Sequence, residues 1–345
     1  MLHFDCDYME GAHPEVMRRL LETNLEQTSG YGVDSYSKHA RELIRQECGC
    51  PDADVFFLVG GTQANSTVID GLLHRTRGVI AAQSGHISVH EAGAVEAWGH
   101  KVLTLPPVNG KLSGDQIRSY VKNFYADETW DHMVIPGAVY ISNPTEVGTV
   151  YSLAELEDVS AACHEAGLPL FLDGARLGYG FAAEGNDLTM KDIARLCDVF
   201  YIGGTKVGAL FGEAVVVTRK GLIPDFFTLI KQHGALLAKG RLSGIQFETL
   251  FTDGLYYKIG EHAVNLALRL KKAFTDKGYK LFMDSPTNQQ FFVLPNEVID
   301  SLSKEMTFEL WGPRGETETP VRFVTSWATT EENIARLEEL IRSGC

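Results

Sequence analysis

Short apolar runs rich in Val, Ile and Phe recur along this chain, separated by stretches whose apolar residues follow helical spacing. Residues 54–59 (DVFFLV) form the clearest run, too short for a buried helix and bounded by turn residues, and they read as a buried strand. Gly60-Gly61-Thr62 breaks the run, and 63–73 continues as a helix. Further strands are predicted at 79–82, 101–105, 138–142, 169–172, 199–202 and 213–218. Between them, Ser152-x-x-Glu155 is a capping box that opens a helix through Leu153, Leu156 and Val159, with Gly167 as its stop.

After about residue 235 the texture changes. Residues 261–277 place Ala263, Leu266, Ala267, Leu270, Ala273 and Phe274 on one stripe, stopped by Gly278. Strands are predicted at 288–294 and 321–326, then a last helix capped by Thr329-x-x-Glu332 and packing Ile334, Leu337 and Ile341. Strands alternating with helices predict an α/β fold: a large domain, 1–235, with a mainly parallel central sheet flanked by helices, and a smaller C-terminal α+β domain, 236–345.

Charge and composition narrow the function. A formal net charge of −14 repels phosphate backbones and anionic lipid, so nucleic-acid and membrane-surface roles are disfavoured. No window approaches a membrane span, and the acidic start of the chain (Asp5, Asp7, Glu10) lacks a secretory pattern. Cysteines at 6, 48, 50, 163, 197 and 345 form no CxxC pair, and Cys48 and Cys50 read as free thiols rather than metal ligands. A cytoplasmic protein with no metal-ligating residues singled out is the expectation.

Three predicted strand ends carry candidate chemistry, and ligands of open α/β sheets collect at that edge. At Gly60-Gly61-Thr62-Gln63-Ala64-Asn65 a strand runs into a helix N-terminus, where free N–H groups and the helix dipole suit a phosphate; packing alone also accounts for a Gly-Gly turn. At Asp173-Gly174-Ala175-Arg176 a carboxylate ends a buried strand and needs a charged or donor partner. A pyridinium N–H is one such partner; an Asp173–Arg176 ion pair or a helix cap is the ordinary alternative. At Gly203-Gly204-Thr205-Lys206 a lysine leaves an apolar strand through small residues, where desolvation favours the nucleophilic amine. An exposed loop lysine is the ordinary alternative there.

With these sites the chain resembles the fold type I pyridoxal-phosphate enzymes, the aspartate aminotransferase superfamily, and more narrowly the threonine aldolase family of β-eliminating lyases. Phe4-Asp5-Cys6-Asp7, Tyr31-Gly32-Val33-Asp34, Ser84-Gly85-His86-Ile87 and Val321-Arg322-Phe323-Val324-Thr325 extend the match nearly end to end. The resemblance implies pyridoxal 5′-phosphate as cofactor and retro-aldol cleavage of a β-hydroxy-α-amino acid to glycine and an aldehyde. β-Elimination or transamination on the same scaffold is the alternative, and a non-catalytic cofactor-binding protein a more distant one. Lys206 is implied as the Schiff-base lysine, Asp173 as the partner of the pyridine nitrogen and His86 as the ring-stacking residue. Gly61 and Thr62 hold phosphate; Arg176 sits beside the ring's 3-oxygen and the substrate carboxylate, which Arg322 clamps with its planar fork. His132 aligns with a second active-site histidine through its spacing to Asn143. In such enzymes the site lies between subunits of a homodimer or homotetramer, so Tyr31, Lys239 and Arg241 are expected to reach a neighbour's cofactor. Each has an ordinary counterpart: a loop or surface histidine for His86 and His132, pairing with an acid for Arg322, solvation for Lys239 and Arg241, packing for Tyr31. Three departures stand out, one of them Gly203-Gly204-Thr205 in place of the commoner lead into the lysine. Cys6 replaces the family's usual serine at the substrate carboxylate with a weaker donor, and Pro144-Thr145-Glu146 replaces the usual His-Asn after the central strand.

Overall fold

In the computed structural model, which describes residues 1–343, the first seven predicted strands form one sheet. They are β1 (Asp54–Leu58), β2 (Arg77–Ala82), β3 (Val102–Leu105), β4 (Ile135–Ser142), β5 (Leu170–Asp173), β6 (Val199–Gly203) and β7 (Glu213–Val217), in spatial order β1-β7-β6-β5-β4-β2-β3. All pairings are parallel except those of β7, which runs antiparallel to both β1 and β6. The strands read as continuous apolar runs because both faces are covered. Val139, Ile141, Leu170, Leu172, Phe200 and Ile202 pack on one side with the helices Ser35–Cys48, Leu153–Glu165 and Arg241–Phe251. Ala138, Tyr140, Phe171, Val199 and Tyr201 pack on the other with Ala64, Val68 and Ile69 of the helix Gly61–Leu72.

A second, antiparallel sheet contains β8 (Lys280–Met283), β9 (Gln289–Pro295), β10 (Glu309–Leu310) and β11 (Glu318–Val324), in order β10-β11-β9-β8. Its core joins Phe292, Leu294, Val321 and Phe323 to Leu266, Leu270 and Phe274 of the long helix Leu255–Asp276 and to Ile334, Leu337 and Ile341. Phe4 belongs to that core: its N–H donates to Thr307 and its carbonyl accepts from Val324. Phe247, Ile259 and Ala263, by contrast, belong to the core of the large sheet.

The capping box at Ser152 and Glu155 forms as expected, and Gly167 follows that helix with φ +66°. The last helix differs by one residue. Thr330, not Thr329, accepts from the backbone of Asn333, while Asn333 Oδ1 accepts from Thr330 N–H. Thr329 is used up by the turn before it, where its Oγ1 accepts from Ser326 N–H. Cys48 is buried at the end of its helix, Cys50 is half-buried, and both are free thiols; Cys345 lies outside the described residues. Among the described residues, no helix is long and apolar enough to cross a membrane.

Candidate active site

Parallel strands deliver their C-terminal ends to one edge, and the residues just beyond them meet there. Gly60 and Gly61 follow β1, His86 follows β2, Ser142 ends β4, Asp173 ends β5 and Lys206 follows β6. Because β7 runs the other way, its first residue, Glu213, faces the same edge. These residues, with Tyr8, Thr62, Glu146, Arg176 and Tyr201 among others, line one cavity of about 310 Å³, the low end of the range for small-molecule sites.

Asp173 is only 4% exposed and accepts four hydrogen bonds. Tyr201 Oη and the Ala175 N–H donate to Oδ1 at 2.5 and 3.0 Å, and Tyr140 Oη and Asn65 Nδ2 donate to Oδ2 at 2.6 and 3.0 Å. Burial alone would raise its pKa. The nearby His86 and the donors Tyr140, Tyr201 and Asn65 outweigh burial, and the carboxyl lies below its ordinary value. The ion pair with Arg176, the ordinary alternative for Asp173, is absent: Arg176 is taken by the buried Asp7 through Nε–Oδ2 at 2.7 Å and Nη2–Oδ1 at 2.9 Å. Asn288 Nδ2 also donates to Asp7 at 2.9 Å.

Lys206 is half-buried in the turn between β6 and β7. Burial and the Arg176 cation lower its pKa, against the carboxylates of Asp7, Asp173 and Glu213. Glu213 fixes this turn, accepting from Gly204 N–H at 3.2 Å and Thr205 Oγ1 at 3.0 Å. Burial raises the Glu213 pKa, against the opposing pull of Lys206 and the donors Thr205 and Gly204. The backbone of Gly204 packs so closely that a Cβ there would lie 2.7 Å from the Gly212 carbonyl oxygen.

His86 Nδ1 lies 2.6 Å from Oε1 of the buried Glu91, which also accepts from Asn65 Nδ2 at 2.7 Å. Glu91, Asn65 and Asp173 thus form a continuous polar chain beneath the cavity. The helix Gly61–Leu72 has no side-chain cap and no acid in its first turn, leaving its N–H groups for an anion.

The other predicted residues lie elsewhere. Arg322 is largely buried, donates to Gln289 Oε1 at 2.8 Å, pairs with Glu309 and lies over the Trp311 ring. It is close enough to Arg176 for the two cations to disfavour one another. Cys6 is half-buried beside Tyr8. His132 does not join the assembly: its side chain is 80% exposed on the turn Trp130–His132, at the opposite edge of the sheet from the cavity. The strand β4, whose eighth and last residue is Ser142, runs between them, about 25 Å of extended chain. Arg241 turns onto the carbonyls of Thr23 and Glu26 of its own chain rather than lining the cavity. Tyr31 (φ +58°) is exposed beside Lys231, its N–H donating to Ala238, and Lys239 is exposed nearby in sequence.

Sequence reasoning assigns no role to Asn65, Glu91, Tyr140, Tyr201, Asp7 or Glu213. Asn65 falls within the glycine motif, and Tyr140 and Tyr201 are in strands whose alternation puts them on one face. Asp7 carries a measurable consequence. Burial would raise its pKa, but Arg176 and Lys206 more than offset this, so its folded value is below the ordinary one. Its contribution to stability is therefore complete above about pH 4 and lost as pH falls through the lower folded value. Urea unfolding of Asp7→Ala should show a loss of about 3–5 kcal/mol at neutral pH, because an unpaired guanidinium stays buried. That loss should shrink in acid.

A strand-end aspartate and a desolvated lysine in one cavity, with a helix N-terminus beside them, define an enzyme site of the fold type I class. The chain belongs to the β-eliminating lyase family, whose model matches residues 4–291. It is 32% identical over 353 aligned residues to a low specificity L-threonine aldolase of Pseudomonas sp., covering 99% of this chain and 97% of that one. A low specificity L-threonine aldolase of Saccharomyces cerevisiae is 26% identical, with 80% and 70% covered. Among solved structures, a Leishmania major threonine aldolase superimposes with a TM-score of 0.96 at 45% identity, covering 99% of both chains. Aspartate aminotransferase from Thermus thermophilus shares the fold, with a TM-score of 0.72 at 16% identity over 99% of this chain and 91% of that one.

Proposed function

We propose that this protein is a pyridoxal-phosphate-dependent aldolase that cleaves the Cα–Cβ bond of β-hydroxy-α-amino acids, L-threonine, allo-threonine or phenylserine among them, to glycine and an aldehyde. The observation that carries it is the placing of Asp173 and Lys206 on one cavity, with the carboxylate already held as an anion by four donors. The residues fit the cofactor's chemistry: an acceptor for a protonated pyridine nitrogen, an amine for its carbonyl carbon, and an uncapped helix N-terminus at Gly61 and Thr62 for its phosphate. When bound, the group supplies an electron sink for the pair leaving Cα.

The chain's own residues do the rest. Asp173 stabilises positive charge at the ring nitrogen, and the Tyr140, Tyr201 and Asn65 donors stop it from taking that proton. Lys206 would hold the cofactor through its carbonyl carbon. His86, anchored by Glu91 on the cavity wall, would help hold the cofactor ring. Arg176 and Arg322 supply the positive field for the substrate carboxylate, with Cys6 near it. Tyr31, Lys239 and Arg241 form part of the face offered to a neighbour in a homodimer or homotetramer, and the proposed setting is the cytoplasm.

The test is incubation of the cofactor-loaded protein with L-threonine and with L-phenylserine. Equal amounts of glycine and aldehyde are expected. Ammonia with a keto acid would instead assign the chain to elimination or transamination.

A further inference from the structure

We infer that Glu146 is the catalytic base that takes the β-hydroxyl proton as the substrate's Cα–Cβ bond breaks. The inference rests on the aldolase function above and sets Glu146 in place of the bases expected from the sequence, His86, His132 or an ordered water; His132 is at the far edge of the sheet.

Lys206 is reserved for the cofactor, and five further ionisable groups on the cavity have other commitments. Asp173 is committed to the ring nitrogen, and the Tyr201 phenol is one of the donors that hold it as an anion. Arg176 is locked to Asp7. Both oxygens of Glu213 hold the lysine turn. His86 has its Nδ1 on Glu91, and the proposed function commits its ring to the cofactor face. Glu146 differs. Its two hydrogen bonds from other residues, Ser142 Oγ at 2.6 Å and His86 N–H at 2.9 Å, both end on Oε1. Oε2 is left to the cavity that the residue lines. No Lys, Arg or His pairs with it among the described residues.

The loop that carries Glu146 is built to hold it. Tyr151 N–H donates to Asn143 Oδ1 at 3.0 Å, Thr145 N–H donates to the Thr149 carbonyl at 2.8 Å, and the Thr145 and Thr149 hydroxyls are 2.7 Å apart. Gly148 closes the loop at φ +77°, where a Cβ would lie 2.3 Å from Ser285 Oγ. Burial, with Asp173 nearby, raises the Glu146 pKa against its donors Ser142 and His86, which brings it towards the range where a carboxylate is an effective base. The groups facing it are Asp173, the His86 backbone, Tyr140 and Tyr151, and both phenols are themselves pushed up by burial.

The step balances. The hydroxyl proton passes to Glu146 Oε2, the O–H bonding pair becomes the second C–O bond of the aldehyde, and the Cα–Cβ pair goes to the electron sink. Solvent then supplies the proton that Cα takes up, and Glu146 returns its own to solvent.

The experiment compares parent, Glu146→Gln and Glu146→Asp as holoenzymes in two reactions: phenylserine cleavage, which needs the hydroxyl proton removed, and exchange of the glycine α-proton in D2O, which does not. Glu146→Gln should cut kcat for cleavage by about 10²–10⁴-fold, with the acid limb of kcat/KM lost. The cofactor absorbance and glycine exchange should stay within about threefold of the parent, and Glu146→Asp should recover part of the cleavage. In the cofactor-free protein, difference infrared should show a carboxyl band, absent from Glu146→Gln, that titrates above the ordinary glutamate range. Cleavage unchanged in Glu146→Gln, or cleavage and exchange falling together, overturns the assignment. A parent that exchanges glycine yet releases no aldehyde overturns the aldolase function instead.

Discussion

Alanine at Lys206 should abolish aldehyde release, by 10³-fold or more on the order of other covalent-residue deletions, and should remove the visible absorbance that the parent gains with pyridoxal phosphate. Lys206 is the lysine lining the cavity, and burial has already lowered the cost of its neutral, nucleophilic form. No carboxylate lies within ion-pairing distance of its Nζ among the described residues, and the buried Asp7, whose pKa Lys206 helps to lower, keeps its Arg176 partner. The thermal midpoint should accordingly hold or rise slightly while activity vanishes. Borohydride reduction of the loaded parent followed by peptide mass spectrometry provides the direct check, with the tag expected on residue 206. A tag elsewhere, surviving in Lys206→Ala, would remove the foundation of the assignment.

The second large effect is at Asp173. Asparagine keeps the shape but loses the charge, so it cannot stabilise a protonated ring nitrogen; kcat should fall by about 10²–10³-fold, as for loss of a preorganised electrostatic contact. Folding should suffer too. The carboxylate accepts on both oxygens, from Tyr201 and Ala175 on one and Tyr140 and Asn65 on the other. An amide accepts on one side only and presents N–H groups to donors on the other, so about 1–3 kcal/mol of stability should be lost. Asp173→Glu provides the contrast: charge is retained, but the extra methylene displaces the network, and both measurements should fall between parent and asparagine. Steady-state kinetics and urea unfolding on the three proteins decide it.

Both positions are legible in the sequence because they lie where an apolar run gives way to small residues, and parallel strands send those points to a common edge. The same logic locates His86, Gly61 and Thr62. What stays hidden is whatever reaches across from a neighbouring strand. Nothing local marks Tyr140 and Tyr201 as donors to Asp173; that requires the register Ser142↔Asp173 and the strand order around it. Asp7 as the partner of Arg176 is a contact across 169 positions in the chain. His132 shows the opposite fault, since its spacing to Asn143 ignores that β4 runs the width of the sheet between them. The helices Pro14–Glu22 and Ser35–Cys48 escape the pattern because their exposed faces carry so many charges that the apolar stripe is thin. Thr329 and Thr330 are indistinguishable by composition, and only the preceding turn decides which one caps.

The first residues of the chain are fastened by some of the last. Leu2 and His3 lie beside Met306 and Thr307, Phe4 bonds to Thr307 and Val324, and Asp7 clasps Arg176 together with Asn288. During synthesis, then, residues 2–4 must wait for Val324 to leave the ribosome before all their docking partners exist. The large sheet can form beforehand, but Arg176 meets its counter-ion late, and a nascent chain stalled short of residue 288 would carry a half-made, inactive pocket.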